Sequence, residues 1–120
     1  MKVLVVDDEP LLVRVLVRFL NAEAIDVVSA ENGVRALARL AEGPVDLVLC
    51  DVRMPVMDGP TMLATLRARD PHHPPVVFLT GYADSGDAEL AAMGAVEVQG
   101  KPVEAAQLLA LVRRCARRPA

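Results

Sequence analysis

Aromatic residues are almost missing from this chain. Among 120 residues there are two phenylalanines, one tyrosine and no tryptophan. A core must therefore be built from leucine, valine, alanine and methionine. With 53% hydrophobic and 24% charged residues, the chain has the material for an aliphatic core and a solvated surface. Cysteine is scarce too. Cys50 and Cys115 each lie in an apolar stretch, do not make a disulfide scaffold, and suit the reducing cytoplasm where we expect the protein. No stretch of about 18 apolar residues is free of charge, so no membrane span is expected. The net charge of −3 gives no electrostatic reason to expect nucleic acid as a partner. Met1-Lys2 runs straight into a strand pattern, so a secretory leader is not expected. Internal repeats, linkers and low-complexity tracts are absent. The length suits one domain, and at that size roughly two-thirds of the unfolded surface can be buried.

What is present is a strict alternation of two patterns. Short apolar runs, with Val and Leu on both faces, predict strands buried on both sides near residues 2–6, 26–29, 46–50, 76–80 and 95–98. Between them, helical spacing predicts helices near 10–21, 32–42, 59–69, 84–93 and 103–117. Five strands alternating with five helices predict a doubly wound α/β domain with right-handed crossovers. The punctuation agrees. Pro10 suits the first turn of the first helix after an Asp8 cap. Gly33 and Gly43-Pro44 bracket the second helix, and Gly94 suits the end of the fourth. That fourth helix is the weakest, with Ser85 and Gly86 in its first turns. Arg113, Arg114, Arg117 and Arg118 read as the solvated end of the fifth helix.

Chemistry gathers at the ends of the strands. Asp7-Asp8 follows the first run, Asp51 the third, Thr80 the fourth and Lys101 the fifth. In a parallel sheet those C-terminal ends lie along one edge, where ligands bind in open α/β folds. Each residue alone has an ordinary reading: Asp8 as a cap, Asp51 and Thr80 as turn residues, Lys101 as a solvated cation. Their conjunction at one edge does not. Three neighbouring carboxylates repel; at about 4 Å and an effective dielectric near 20, each pair costs on the order of 4 kcal/mol. Protonation or a divalent cation relieves this, and an open all-oxygen site suits Mg²⁺. A carboxylate nucleophile, a metal, a lysine and a hydroxyl are the parts needed to receive a phosphoryl group. His72-His73 lies in a proline loop without a third ligand, and Cys50 points to the opposite face of its strand from Asp51, so both read as structural.

Val5-Val6-Asp7-Asp8-Glu9-Pro10, Asp51-Val52-Arg53-Met54-Pro55 with Met57-Asp58-Gly59, Thr80-Gly81, Gly94-Ala95 and Lys101-Pro102 stand in this order along the chain. Together they resemble the receiver domain of two-component response regulators, the CheY-like family, over residues 1–120. The resemblance implies a flavodoxin-like five-stranded sheet in order 2-1-3-4-5. It implies Asp51 as the phosphoacceptor, with Thr80 and Lys101 acting on the phosphoryl group. It implies Mg²⁺ on Asp8, Asp51 and the Arg53 carbonyl, with Asp7 acting through water, and a cis bond between Lys101 and Pro102. Gly81 is the small residue that follows the switch hydroxyl. The family's strand-five aromatic is replaced by Val98, and Tyr82 is the candidate to take over part of its role.

The implied donor is a phosphohistidine on a sensor histidine kinase or a histidine phosphotransfer protein. The implied response is a shift in the face built from the fourth helix, fifth strand and fifth helix, read by an output protein in trans. Such a domain catalyses its own phosphorylation and dephosphorylation and is not a turnover enzyme. Because no sequence follows the fifth helix, we expect a single-domain regulator; the alternative is a receiver cut from a longer regulator. A phosphohydrolase on a related fold would need a second acid at position 53, which is Arg. The first helix carries a wide apolar arc, Leu11, Leu12, Val13, Val15, Leu16, Val17, Phe19 and Leu20, with Arg14, Arg18 and Asn21 as a narrow polar stripe. That arc exceeds one core face, and the resemblance makes it a docking surface, with Val13 and Val17 as positions to test.

Overall fold

The computed structural model describes residues 1–81 and 87–116. Its strands are β1 (Lys2–Val6), β2 (Asp26–Ala30), β3 (Leu47–Asp51), β4 (Val76–Thr80) and β5 (Glu97–Gly100). Its helices are α1 (Pro10–Ala22), α2 (Gly33–Glu42), α3 (Gly59–Arg69), α4 (Asp87–Ala92) and α5 (Ala105–Cys115). All neighbouring strands are parallel and run in the order β2-β1-β3-β4-β5. The expected flavodoxin-like architecture is therefore present.

Side-chain alternation along the strands divides the core in two. Leu4, Val6, Val48, Cys50, Val76 and Phe78 face one way and meet Ala36 of α2, Met62, Leu63 and Leu66 of α3, and Leu90 of α4. Val3, Val5, Leu47, Leu49, Val77 and Leu79 face the other way and meet Leu20 of α1 and Leu108, Leu111 and Val112 of α5. Both faces of the central strands are covered, which is why those strands read as unbroken apolar runs.

Some boundaries differ from expectation. β5 begins at Glu97 rather than Ala95, and β3 takes in Asp51. Among the described residues β5 is an edge strand paired with β4 alone, and its Cα register runs from Val77–Glu97 to Thr80–Gly100; the apolar Ala95-Val96 pair precedes that register. The N-cap of α1 is Glu9, not Asp8, and has no side-chain cap bond. The nearby Asp7 carboxylate accepts the Glu9 N–H at 2.9 Å instead. Gly94 does close α4 as expected, with φ of +111°.

Candidate functional site

Register brings the chemistry together. Val6 lies opposite Cys50, so the next residues, Asp7 and Asp51, are level on adjacent strands. Asp51 lies opposite Leu79, and Thr80 opposite Gly100, which places Thr80 and Lys101 one step further along the same edge. Asp7 is 3% exposed. Its N–H donates to the Ala30 carbonyl at 3.1 Å, and its Oδ2 accepts from Lys101 Nζ at 2.9 Å. Lys101 Nζ also lies 3.4 Å from Asp51 Oδ1, which accepts the Val52 N–H at 2.9 Å. Asp8 is exposed. One ligand atom from each of Asp7, Asp8 and Asp51 falls within 4.8 Å of the others, forming an acid cluster open to water on the Asp8 side. Lys101 is itself positioned by its N–H, which donates to the Thr80 carbonyl at 2.7 Å. Its bond to Pro102 is cis, as the resemblance implied.

The charges perturb one another in a definite sense. Burial pushes the Asp51 carboxyl above its ordinary range; Lys101 pulls it down without cancelling the effect, and Asp7 adds to the rise. Burial alone would lower the Lys101 ammonium, but its bond to Asp7 and the charges of Asp7 and Asp51 outweigh that and raise it. Lys101 pairs with Asp7 and Asp51 while Asp8 adds a third acid to the cluster, so the site carries more acids than cations. Burial also drives the Cys50 thiol far up, which makes it inert. It packs in the α2–α3–α4 side of the core, as its strand position predicts.

The fold and the acid cluster together indicate one family, and the sequence of the response regulator receiver domain matches residues 3–113. This chain belongs to the response regulator receiver family. The receiver is 40% identical over 119 residues to response regulator PleD of Caulobacter vibrioides, covering 97% of this chain and 26% of that protein. It is 38% identical over 112 residues to the DNA-binding transcriptional regulator NtrC of Salmonella typhimurium, covering 92% and 24%. The chain thus spans about a quarter of the length of these curated relatives. Among solved structures, the BeF3-activated N-terminal receiver domain of Klebsiella pneumoniae RstA is 32% identical with a TM-score of 0.88, covering 98% of this chain and all of that one. Chemotaxis protein CheY4 of Vibrio cholerae is 28% identical with a TM-score of 0.85, covering 95% and 97%.

The receiver gathers Asp7, Asp8, Asp51 and Lys101 into direct contact or near it, with buried Thr80 and half-buried Gly81 at the same edge. Arg53 lies two residues beyond Asp51, its side chain exposed. Val98 sits opposite Phe78 and packs on the α2–α3–α4 core. Tyr82 lies outside the described residues, as do Arg117 and Arg118. His73 turns its Nδ1 to the Pro74 carbonyl at 2.7 Å, so the histidine pair is a loop feature. The sequence reading missed what Gly59 does. Its N–H donates to the Val52 carbonyl at 3.0 Å. A Cβ there would strike the Asp51 carbonyl oxygen and come within 2.9 Å of Phe78 Cε1. Asp58 caps α3 through the Thr61 N–H at 2.9 Å. The Asp-Gly pair thus seats the start of α3 directly beneath the site.

Proposed function

We propose that Asp51 of this receiver accepts a phosphoryl group from a phosphohistidine on a sensor histidine kinase or histidine phosphotransfer protein. The observation that carries this is a half-buried carboxylate at the sheet edge, 3.4 Å from the Lys101 ammonium and clustered with two further acids. An Asp51 oxygen forms a bond to phosphorus as the phosphorus–nitrogen bond of the donor breaks. The imidazole leaves with the electron pair and takes up a proton. Lys101 places positive charge beside the incoming phosphoryl oxygens, and the Thr80 hydroxyl donates to one of them.

The donor set fits Mg²⁺. Every candidate ligand is an oxygen, one lysine pairs with two of the three clustered carboxylates, and Asp8 is open to a hydrated ion. Asp8, Asp51 and the Arg53 carbonyl would hold it, with Asp7 acting through water. Bound there, Mg²⁺ supplies charge neutralisation for the phosphoryl oxygens.

Engagement of Thr80 biases a pre-existing equilibrium in the face formed by α4, β5 and α5. Val98 offers no ring to follow the threonine, which leaves Tyr82 as the candidate partner. Output follows by binding a protein in trans or by passing the phosphoryl group onward, in the cytoplasm. Leu11 and Val15, 72% and 63% exposed, give α1 an apolar outer edge for the donor's helices. Residues 1–120 act as one receiver unit. The alternative, a receiver within a longer regulator with its own effector domain, is favoured by the greater length of PleD and NtrC. The chemistry is tested by incubation with acetyl phosphate, followed by ³¹P NMR. An acyl phosphate that forms with Mg²⁺ and fails to form in chelator is expected; no acyl phosphate in either buffer contradicts the reading.

A further inference from the structure

The loop from Val52 to Asp58 carries the residues that follow the phosphoacceptor, and it is tied down at a place far from it in sequence. The Gly33 N–H, in the first turn of α2, donates to the Met57 carbonyl at 2.9 Å. The two residues also touch through side-chain space. A Cβ on Gly33 would lie 2.6 Å from Met57 Cγ and 2.9 Å from Met57 Sδ, both impossible contacts. Gly33 is buried and Met57 half-buried against the core. Between this tie and Asp51 the backbone is strained. Val56 has φ of +71°, where a β-branched side chain is a true outlier. The Met57 N–H donates back to the Pro55 carbonyl at 2.8 Å, closing a γ-turn around it. Its side chain is 82% exposed, so no packing of its own offsets the strain. A strained turn persists only where its surroundings over-determine it. Here the surroundings are two glycine amides, Gly33 on Met57 and Gly59 on Val52.

We infer that Gly33 is a positioning residue for the metal site, acting through Met57 to hold the strained Val52–Asp58 loop, on which Arg53 lies. This rests on the Mg²⁺ reading above. Adding a methyl group at position 33 would displace Met57, let the turn around Val56 relax, and shift the loop that carries Arg53, the proposed carbonyl ligand. The propensity of the helix predicts the opposite sign, since alanine favours α2 over glycine.

The test is Gly33→Ala, read by Mg²⁺ titration of backbone amide shifts and by thermal midpoint in chelator. We expect Mg²⁺ to bind the variant about tenfold or more weakly than wild type, the range seen when an outer support of a metal ligand is lost. Gly33→Ala with Met57→Ala, which removes the two clashing atoms, should return affinity to within about threefold of wild type. The double variant also decides the matter if Gly33→Ala alone fails to fold. Wild-type affinity in Gly33→Ala with a raised thermal midpoint would overturn the inference, as would a double variant that binds no better than the single. If wild type itself shows no Mg²⁺-dependent shifts at Asp8 and Asp51, the metal reading fails first and takes the positioning role with it.

Discussion

Asp51 is where the costs of this site concentrate. Its carboxyl is raised chiefly by burial, so the folded state favours the neutral form more than the unfolded chain does. The stability it contributes is therefore full below the ordinary carboxylate range and is lost as pH rises through its raised value. Above that raised value, without metal, the ionised group works against the fold. Lys101 has the same sign, but its loss comes only on the alkaline side, above its ordinary 10.5. Asp51→Asn keeps an acceptor for the Val52 N–H and removes the charge. In chelator near pH 7.5 its thermal midpoint should exceed that of wild type, and the gap should close as the pH falls through the Asp51 range. Mg²⁺ at a hundredfold excess over its dissociation constant should stabilise wild type by about 2.7 kcal/mol and the variant far less. Thermal scans with and without Mg²⁺ at several pH values check this. An equal Mg²⁺ response in both proteins would place the ion elsewhere.

Among the elements, α1 carries two features of opposite purpose. Its C-terminal end is a Schellman motif: Ile25 N–H donates to the Leu20 carbonyl and Ala24 N–H to that of Asn21, both at 3.0 Å. Leu20 and Ile25 are buried in the same core cluster, as the motif favours. The left-handed position, with φ of +61°, is filled by Ala24 where glycine is usual. Because Ala24 is exposed, nothing is lost in packing. Ala24→Gly should raise stability by about 1 kcal/mol, measured by urea unfolding. The outer face of α1 is the other feature. The exposed apolar positions are Leu11 and Val15, whereas Val13 packs against the core and Val17 is half-buried. Glutamate at Val13 would damage the fold, so the informative variants are Leu11→Glu and Val15→Glu. Each should slow transfer from a phosphorylated protein donor about tenfold, about 1.4 kcal/mol in barrier, and leave transfer from acetyl phosphate unchanged. Parallel stopped-flow measurements with the two donors separate these effects. Equal loss with both would indicate injury to the fold rather than to docking.

At the scale of the whole molecule, the sequence made the architecture legible because both faces of the sheet are covered. Central strands then read as continuous apolar runs, and the acids, threonine and lysine stand out against them. Legibility failed where local pattern and tertiary pairing part company. Ala95-Val96 look like strand, yet the Cα register of β5 with β4 starts at Glu97. Asp8 looks like the cap of α1, yet it is drawn into the acid cluster and Glu9 takes the cap position. The tie between Gly33 and Met57 joins residues from different crossovers, and no local signal announces such a contact. Among the described residues, no helix is long and apolar enough to cross a membrane.

Every proposed step at this site runs through Asp51 as the phosphoacceptor. Intact-mass spectrometry after incubation with acetyl phosphate and Mg²⁺ tests this most directly, comparing wild type with Asp51→Asn. A single phosphate is expected on the wild type and none on the variant. A full phosphate adduct on Asp51→Asn, or none on a folded, Mg²⁺-saturated wild type, would contradict it.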